Sequence, residues 1–327
     1  MAKDKVLGKW WFLKILSIKE LISLVMLIVV VMVFYAISNI FLSWDNIGVI
    51  LEIVPELGIA AAGITVLMIS GEFDLSVGSV FALAPIVLMM MVDAGIPLLV
   101  ATLISLSFCC GIGALNGTIT LRFGIPSFIT TLGMMMVWRG VVLLITGGWP
   151  PPFPDKAIPL KQAVVGQLGL IYASLIWYAG VTIILWILLE RSRYGNWVFA
   201  TGGNRQAARV LGINIARVKV LNFVIASFLA GFAGIVQGTR LGALVPSAGT
   251  GMELDCIAAA VIGGTYLMGG VGTVLGTVIG SFLIRIIDNG LVMASAPGYW
   301  FRVFIGLITI VAVIINVTLG KRISKLR

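Results

Sequence analysis

The stretch IKELISLVMLIVVVMVFYAISNIFL, residues 18–42, decides the class of fold. About 20 apolar residues in helical form cross the hydrocarbon core of a bilayer, which is about 30 Å thick. A signal-peptide core has only about 7–15 apolar residues and ends at a small-residue cleavage site. This run is longer and no such site closes it. We therefore interpret it as a retained first transmembrane helix.

The composition of the whole chain agrees with a membrane protein. Of its 327 residues, 60% are hydrophobic and 11% are charged, with a mean hydropathy of +1.13. An ordinary soluble domain has about 25% charged residues. A soluble enzyme, a disordered chain and a nucleic-acid-binding module are therefore excluded, despite the net charge of +9. The absence of histidine from the sequence excludes an imidazole base and a His-ligated metal.

Ten segments satisfy the same length rule: 18–42, 47–70, 77–93, 96–121, 126–146, 167–190, 218–239, 255–269, 271–293 and 299–319. Continuous apolar runs favour helices over a β-barrel. The short segments 77–93 and 255–269 are typical of broken or re-entrant helices. We predict an all-α polytopic membrane protein with one transmembrane domain, 18–319. It has about ten transmembrane helices, or eight or six if the short segments form re-entrant hairpins.

Basic residues predict the orientation. Tail 1–17, loop 191–217 and tail 320–327 are rich in Lys and Arg, and such segments stay in the cytoplasm. Even numbers of predicted crossings separate the three regions, so all fall on one side. The proline-rich loop 147–166 then lies outside, either as a stiff docking surface or as a plain connector.

Loop 191–217 contains RQAARVL, residues 205–211, which suits a short helix. Asn204 is suited to cap its start and Gly212 to end it. Such a helix fits a groove on a soluble partner and would transmit that partner's motion. The alternative is a basic interfacial helix held by anionic lipid head groups.

Acidic residues lie at two segment boundaries. They are Glu72 and Asp74, followed by Ser76, and Glu253 with Asp255. Carboxylates within a bilayer often mark function, so these residues are candidates for a polar lining or gate. Helix N-capping is the simpler explanation. An Asn-Gly pair follows each acidic motif, at Asn116 after the first and at Asn289 after the second. This arrangement is consistent with an inverted repeat of two halves with five helices in each half.

Four other charged positions receive no functional role. Glu52 and Glu56 flank Pro55 and are expected to face water, and Arg285 and Asp288 are spaced to pair on one helix face. The sequence contains no P-loop motif, so the chain cannot hydrolyse ATP by that route. The cysteines Cys109, Cys110 and Cys256 are expected in apolar packing.

Four stretches resemble the permease subunit of ribose-type ABC importers, a family of carbohydrate permeases that includes ribose, xylose and autoinducer-2 systems. They are GEFDLSVGS at 71–79, PSFITTLG at 126–133, ATGGNRQAARVLGI at 200–213 and ELDCIAAAVIGGTYLMGGVGTVLGT at 253–277, with Asn289 at the family's usual distance. The likeness extends over about residues 20–318. Family members typically have Gly-Ile-Asp-Leu-Ser where this chain has Glu72-Phe73-Asp74-Leu75-Ser76.

The resemblance implies a coupling loop and a pathway. The coupling loop consists of Gly203, Asn204, Ala207, Ala208, Arg209, Gly212 and Ile213. The pathway or gate candidates are Glu72, Asp74, Ser76, Asn116, Ser127, Thr130, Thr131, Glu253, Asp255 and Asn289.

The resemblance also implies partners: an ABC ATPase that binds ATP and Mg, a second permease copy or a paralogue, and a periplasmic or lipid-anchored binding protein. The chain itself is expected to hold no cofactor, metal or catalytic residue and to import a monosaccharide through a bacterial inner membrane. The alternatives are autoinducer-2 or a nucleoside as solute, a stand-alone secondary transporter or channel, and a membrane scaffold.

Overall fold

The computed structural model describes residues 19–168 and 171–324. The predicted tail 1–17 and residues 325–327 of the other tail lie outside the described residues. The described part is helical except for short connections and one small hairpin. The helices are α1 (Lys19–Ile37), α2 (Trp44–Ile69), α3 (Val77–Asp93), α4 (Leu98–Phe123), α5 (Ser127–Thr146), α6 (Ile158–Val165), α7 (Ala173–Glu190), α8 (Arg193–Gly203), α9 (Arg205–Val210), α10 (Ile215–Leu241), α11 (Met252–Ile262), α12 (Val274–Met293) and α13 (Tyr299–Ser324).

Seven helices of the described part are long and apolar enough to cross a membrane, namely α1, α2, α4, α5, α7, α10 and α12. The helix α3 and the stretch Tyr299–Ile314 of α13 are shorter apolar helices. These helices confirm the predicted class, an all-α polytopic membrane protein.

Most predicted segments differ from the structure by a few residues at their ends, and segments 255–269 and 167–190 differ most. Segment 255–269 ends as a helix at Ile262, because Gly263 and Gly264 begin an irregular loop that continues to Thr273. Segment 167–190 begins as a helix only at Ala173. The residues before it form an antiparallel pair of two-residue strands, β1 (Gln167–Leu168) and β2 (Ile171–Tyr172).

Helix α10 forms the centre of the bundle and packs along α2, α3, α4 and their connections. Glycine makes these contacts close. A Cβ atom added at Gly113 of α4 would overlap the carbonyl oxygen of Phe223 in α10, and one at Gly234 would overlap that of Phe81 in α3. Small residues at such positions let helix backbones approach within a bilayer.

The outer faces of several helices are apolar. Met32 of α1, Leu103 of α4, Met136 of α5 and Ile184 of α7 are all exposed. A surface of this kind in a spanning helix suits the lipid chains, which offer no hydrogen-bond partners.

The connection 147–166 packs back on the bundle. It contains a single 3₁₀ turn, Asp155–Ala157, and the helix α6. The indole of Trp177 in α7 donates to the carbonyl oxygen of Ala163 at 3.0 Å, and the amide of Leu244 donates to that of Pro151 at 3.3 Å. Trp149 stays exposed.

Candidate functional site

The site is built around a break in the helical path between α2 and α3. Residues 70–76 leave the helix, and Gly71 has a φ of +80°, a conformation that favours glycine. Two hydroxyl groups of α5 accept hydrogen bonds from the freed backbone. The amide of Phe73 donates to Ser127 at 3.2 Å and that of Leu75 donates to Thr131 at 3.0 Å. Backbone outside a helix is tolerated at membrane depth where other protein groups form hydrogen bonds with its N–H and C=O groups.

Asp74 lies at this break and is completely buried. Its Oδ1 atom accepts from the amide of Ser76 at 2.8 Å and from the hydroxyl of Ser76 at 2.6 Å. The amide group of Asn116 in α4 donates to Asp74 Oδ2 at 3.2 Å and to Ser76 Oγ at 2.8 Å. Three of the predicted pathway candidates therefore form one hydrogen-bonded cluster. The buried hydroxyl of Thr130 in α5 has no hydrogen-bond partner among the residues that the structure describes.

Glu72 connects the helix break to loop 191–217 through ion pairs. Its carboxylate forms ion pairs with the ammonium group of Lys219 in α10 and, at 3.2 Å, with the guanidinium of Arg205 at the start of α9. Lys219 has only 1% of its side chain exposed and Arg205 has 59%. The pair with Lys219 is buried, whereas Arg205 reaches in from the surface.

Glycines bring three backbones together beside Glu72. The amide of Gly270, in the loop before α12, donates to the carbonyl oxygen of Ile69 at the end of α2 at 2.8 Å. A Cβ atom added at Gly202 of α8 would overlap that same oxygen, and Gly71 lies next to Gly202. The stretches 71–79, 200–213 and 253–277, which the sequence singled out, thus meet at one end of the bundle. We call this end the loop end.

The loop helices have the predicted caps. The side chain of Asn204 accepts from the amides of Gln206 and Ala207, both at 3.0 Å, at the start of α9. Gly212 follows α9 with a φ of +77°, as a helix-ending glycine does. The predictions for the helix at 205–211 and for both of its ends are confirmed.

The seven coupling candidates differ in exposure. Ala208 is buried and packs inward, and Ile213 is half-buried; the other five, Gly203, Asn204, Ala207, Arg209 and Gly212, are exposed. Two strongly exposed apolar side chains were not among the candidates, namely Val210 at 85% and Leu211 at 75%.

A half-buried tyrosine joins α8 to α10. Tyr194 donates from its hydroxyl to Asn222 Oδ1 at 2.6 Å. Burial raises the pKa of Tyr194 well above its ordinary value, so the phenol remains a donor. This hydrogen bond joins α8 directly to the central helix.

Of the remaining candidates, Glu253 lies next to the break, because its carboxylate would overlap a Cβ atom added at Gly78 in the first turn of α3. Asn289 of α12 donates to Asn46 of α2 at 2.9 Å, far from the Asn116 cluster. Glu253 lies within electrostatic reach of Arg139 and Arg302, and Asp255 within reach of Arg285 and Arg302. Arg285 and Asp288 pair at 3.5 Å, as their spacing predicts.

Sequence reasoning did not predict the structural contacts of two charged residues, Arg139 and Glu56. Arg139 of α5 donates to the carbonyl oxygens of Pro246 at 2.7 Å, Ala248 at 2.8 Å and Gly78 at 3.0 Å. Glu56 does not face water, which corrects the expectation. It is buried and bonds to Arg240 and to Gln237 of α10.

Sequence reasoning also did not single out Lys219 as part of the site. Its position between Val218 and Val220, inside an apolar helix, is the signal that could have found it. A lysine surrounded by apolar residues requires a buried acidic partner.

The chain matches the family model described as "Branched-chain amino acid transport system / permease component" over residues 46–313. It is 34% identical to the ribose import permease protein RbsC of Escherichia coli K12, over 97% of this chain and 99% of that protein. It is 36% identical to the probable ABC transporter permease protein YphD of the same organism, over 95% of this chain and 96% of YphD.

A third relative is the autoinducer 2 import system permease protein LsrC of Photorhabdus luminescens. It is 30% identical over 94% of this chain and 92% of LsrC. No solved structure matches the chain. The resemblance drawn from the four stretches is confirmed, and because the matches span nearly the whole sequence, the protein belongs to this family of transport permease components and is the membrane-spanning subunit of an ABC importer.

Proposed function

We propose that the chain imports a neutral monosaccharide, ribose-like or similar, by alternating access driven by a separate ATPase. The observation that carries this proposal is the direct connection between the loop helices and the helix break. Through Gly202 and through the ion pairs of Glu72, displacement of α8 and α9 acts on residues 70–76. Packed interiors transmit such displacements because they have low compressibility.

In this proposal ATP and Mg are bound by the ATPase, either a single-domain protein or one with two fused ATP-binding domains. The present chain contributes no catalytic residue. Its other partners are a second permease copy or a paralogue, membrane lipid, and a periplasmic or lipid-anchored binding protein that delivers the solute. In this proposal the protein is located in the cytoplasmic membrane of a bacterium. Loop 191–217 and both termini are in the cytoplasm, and loop 147–166 is outside.

The surface offered to the ATPase is the exposed part of α9. Val210 and Leu211 present apolar side chains to water beside the exposed Arg209. A groove on a soluble partner would cover these two adjacent apolar side chains and remove their surface from water. ATP binding on the partner would then close the transporter, and hydrolysis with release would reset it.

The hydrogen-bonded cluster of Asp74, Ser76 and Asn116 is proposed as the inner gate, and Thr130, whose hydroxyl is buried, as a further residue of the pathway. Ser127 and Thr131 would hold the gate backbone in position, since they bond its amides. Glu253, whose carboxylate lies against Gly78 at the start of α3, and Asp255 are proposed to line the pathway next to this gate. Hydroxyl-rich solutes exchange hydrogen bonds readily with carboxylates and amides.

The relatives suggest which solute to test. RbsC is named for ribose and LsrC for autoinducer 2. A sugar is favoured because RbsC is the more similar of the two and covers 97% of the chain. Soaking the cognate binding protein with ribose, other pentoses, autoinducer 2 and nucleosides would separate these solutes.

The decisive experiment reconstitutes the chain with its ATPase and binding protein in liposomes and measures ATP-dependent uptake. We expect Arg209→Ala and Gly212→Ala to abolish uptake and stimulated ATPase activity while the chain still inserts. The matched control is Arg217→Ala, which removes an equally exposed charge away from the tip of α9.

Two results would contradict the proposal. Uptake and stimulated ATPase activity that both survive Arg209→Ala and Gly212→Ala would remove the coupling role of α9. Gradient-driven flux through the purified chain alone would instead identify a secondary transporter or channel.

A further inference from the structure

The loop between α11 and α12, residues 263–273, presents an exposed methionine at the loop end. The side chain of Met268 is 87% exposed. The amide of Tyr266 donates to the carbonyl oxygen of Val271 at 2.9 Å, and the amide of Gly269 donates to that of Tyr266 at 3.1 Å. Gly269 has a φ of +83°, a conformation that favours glycine. These bonds close the loop into a turn with Met268 at its tip, and we call it the Met268 loop.

The base of the Met268 loop is bonded to the end of a central helix. The amide of Gly270 donates to the carbonyl oxygen of Ile69, the last residue of α2, at 2.8 Å. Residues 54–69 of α2 are all buried, so protein surrounds this part of the helix. A turn that covers the end of a surrounded helix projects along the bundle and not sideways into the lipid. Met268 therefore faces water.

The Met268 loop adjoins the surface of α9 that is proposed to contact the ATPase. A Cβ atom added at Gly71 would lie 3.6 Å from the carbonyl oxygen of Met268 and 3.8 Å from the guanidinium group of Arg205, the first residue of α9. A Cβ atom added at Gly270 would overlap the backbone of Gly203, just before α9. The Met268 loop and α9 therefore form one continuous surface at the loop end.

We propose that the Met268 loop is a second docking element for the ATPase, beside α9. The exposed apolar side chains of Met268, Val210 and Leu211 share this surface with the exposed guanidinium groups of Arg205 and Arg209. The partner that fits it has an apolar groove with acidic residues at its rim. Burial of the methionine favours binding, and its unbranched thioether adapts to the shape of a groove. The opposite charges set the orientation of the ATPase.

The second docking element gives the ATPase a direct connection to the helix break. Gly270 bonds to Ile69, and the break at residues 70–76 begins at the next residue. Helix α9 reaches the same break by another route, the ion pair of Arg205 with Glu72. Two attachment points transmit a rotation of the ATPase as well as a displacement.

This inference rests on the proposed transport function, because it takes the ATPase as the partner. It makes a separate claim, namely that α9 is only one part of the docking surface. The two claims can be tested in one experiment with different positions of the chain.

The experiment uses the whole importer in its own membrane. The photoreactive amino acid benzoylphenylalanine is placed at one position in each variant, at Met268, at Leu211 beside α9 or at Leu144 of α5. Leu144 is the matched control, because it is apolar and 85% exposed but lies near the end of α5 that is remote from the break. All three side chains are exposed, so the substitutions should not disturb folding. Mass spectrometry identifies the partner that each position captures on illumination.

We expect the positions of Met268 and Leu211 to be cross-linked to the ATPase and that of Leu144 not to be. A second measurement is the affinity of the purified ATPase for the chain in lipid nanodiscs. Met268→Ala should weaken this affinity about tenfold, which corresponds to about 1.4 kcal/mol. Met268→Leu should keep it, because an apolar side chain of similar size remains. Leu144→Ala should leave it unchanged.

Two results would overturn the proposal. One is capture of lipid, of this chain or of another polypeptide at Met268, with no capture of the ATPase. The other is an unchanged affinity in Met268→Ala. Either result, obtained while Leu211 still captures the ATPase, would leave the proposed function intact. Capture of the ATPase at Met268 without ATP-driven uptake would refute the proposed function and support the second docking element.

Discussion

Removal of the Glu72 carboxylate is the sharpest test of the junction at the loop end. In Glu72→Gln, the ammonium group of Lys219 stays buried with 1% of its side chain exposed but loses its ion-pair partner. An unpaired buried charge destabilises a protein by about 3–5 kcal/mol. Arg205 cannot compensate, because it carries the same charge as Lys219.

The structure predicts how strongly each variant should lower the free energy of unfolding. Arg205→Ala removes an ion pair whose basic partner is 59% exposed, so we expect a loss of about 1 kcal/mol or less. Lys219→Met leaves Glu72 paired with Arg205, so it should lower the free energy of unfolding less than Glu72→Gln does. The double variant Glu72→Gln with Lys219→Met removes the unpaired charge and should recover much of the loss, so the two effects will not add.

The assay is chemical unfolding of the purified chain in mixed micelles, which gives a free energy of unfolding for each variant. Uptake by the reconstituted importer is measured in parallel. If Glu72→Gln and Arg205→Ala lost equal stability, the pair with Lys219 would not be the buried contact described. Additive effects in the double variant would refute the coupling between Glu72 and Lys219.

Three further substitutions test the packing around the site. Gly202→Ala should reduce uptake sharply because its Cβ overlaps a backbone oxygen, whereas Gly180→Ala, in open space on α7, should leave uptake intact; equal uptake by both would contradict the close contact of α8. Gly113→Ala should lower the free energy of unfolding, while Gly111→Ala, in open space on the same helix, should be neutral or gain up to about 1 kcal/mol. Arg139→Lys should lower thermal stability, because one ammonium group cannot bond three carbonyl oxygens in fork geometry; an unchanged melting temperature would argue against this contact.

Local properties of the chain were predictable from the sequence. The helical class and most helix bounds follow from runs of apolar residues, whose length is set by the bilayer. The cap at Asn204 and the end at Gly212 follow from hydrogen bonds and backbone angles within a few residues. The family also follows from local stretches, because 200–213 and 253–277 can be recognised without their partners.

Pairings between distant residues were decided only by the tertiary structure. Glu72 and Lys219 are 147 positions apart, and nothing near either residue indicates the other. Asn116 and Asn289 look alike in sequence, yet one bonds to Asp74 and the other to Asn46. The physical reason is that such contacts depend on how each helix is rotated and how closely its glycines let it approach a neighbour. Helix rotation and close approach are properties of the packed bundle. The sequence of a spanning helix does not reveal them, because its faces are similarly apolar.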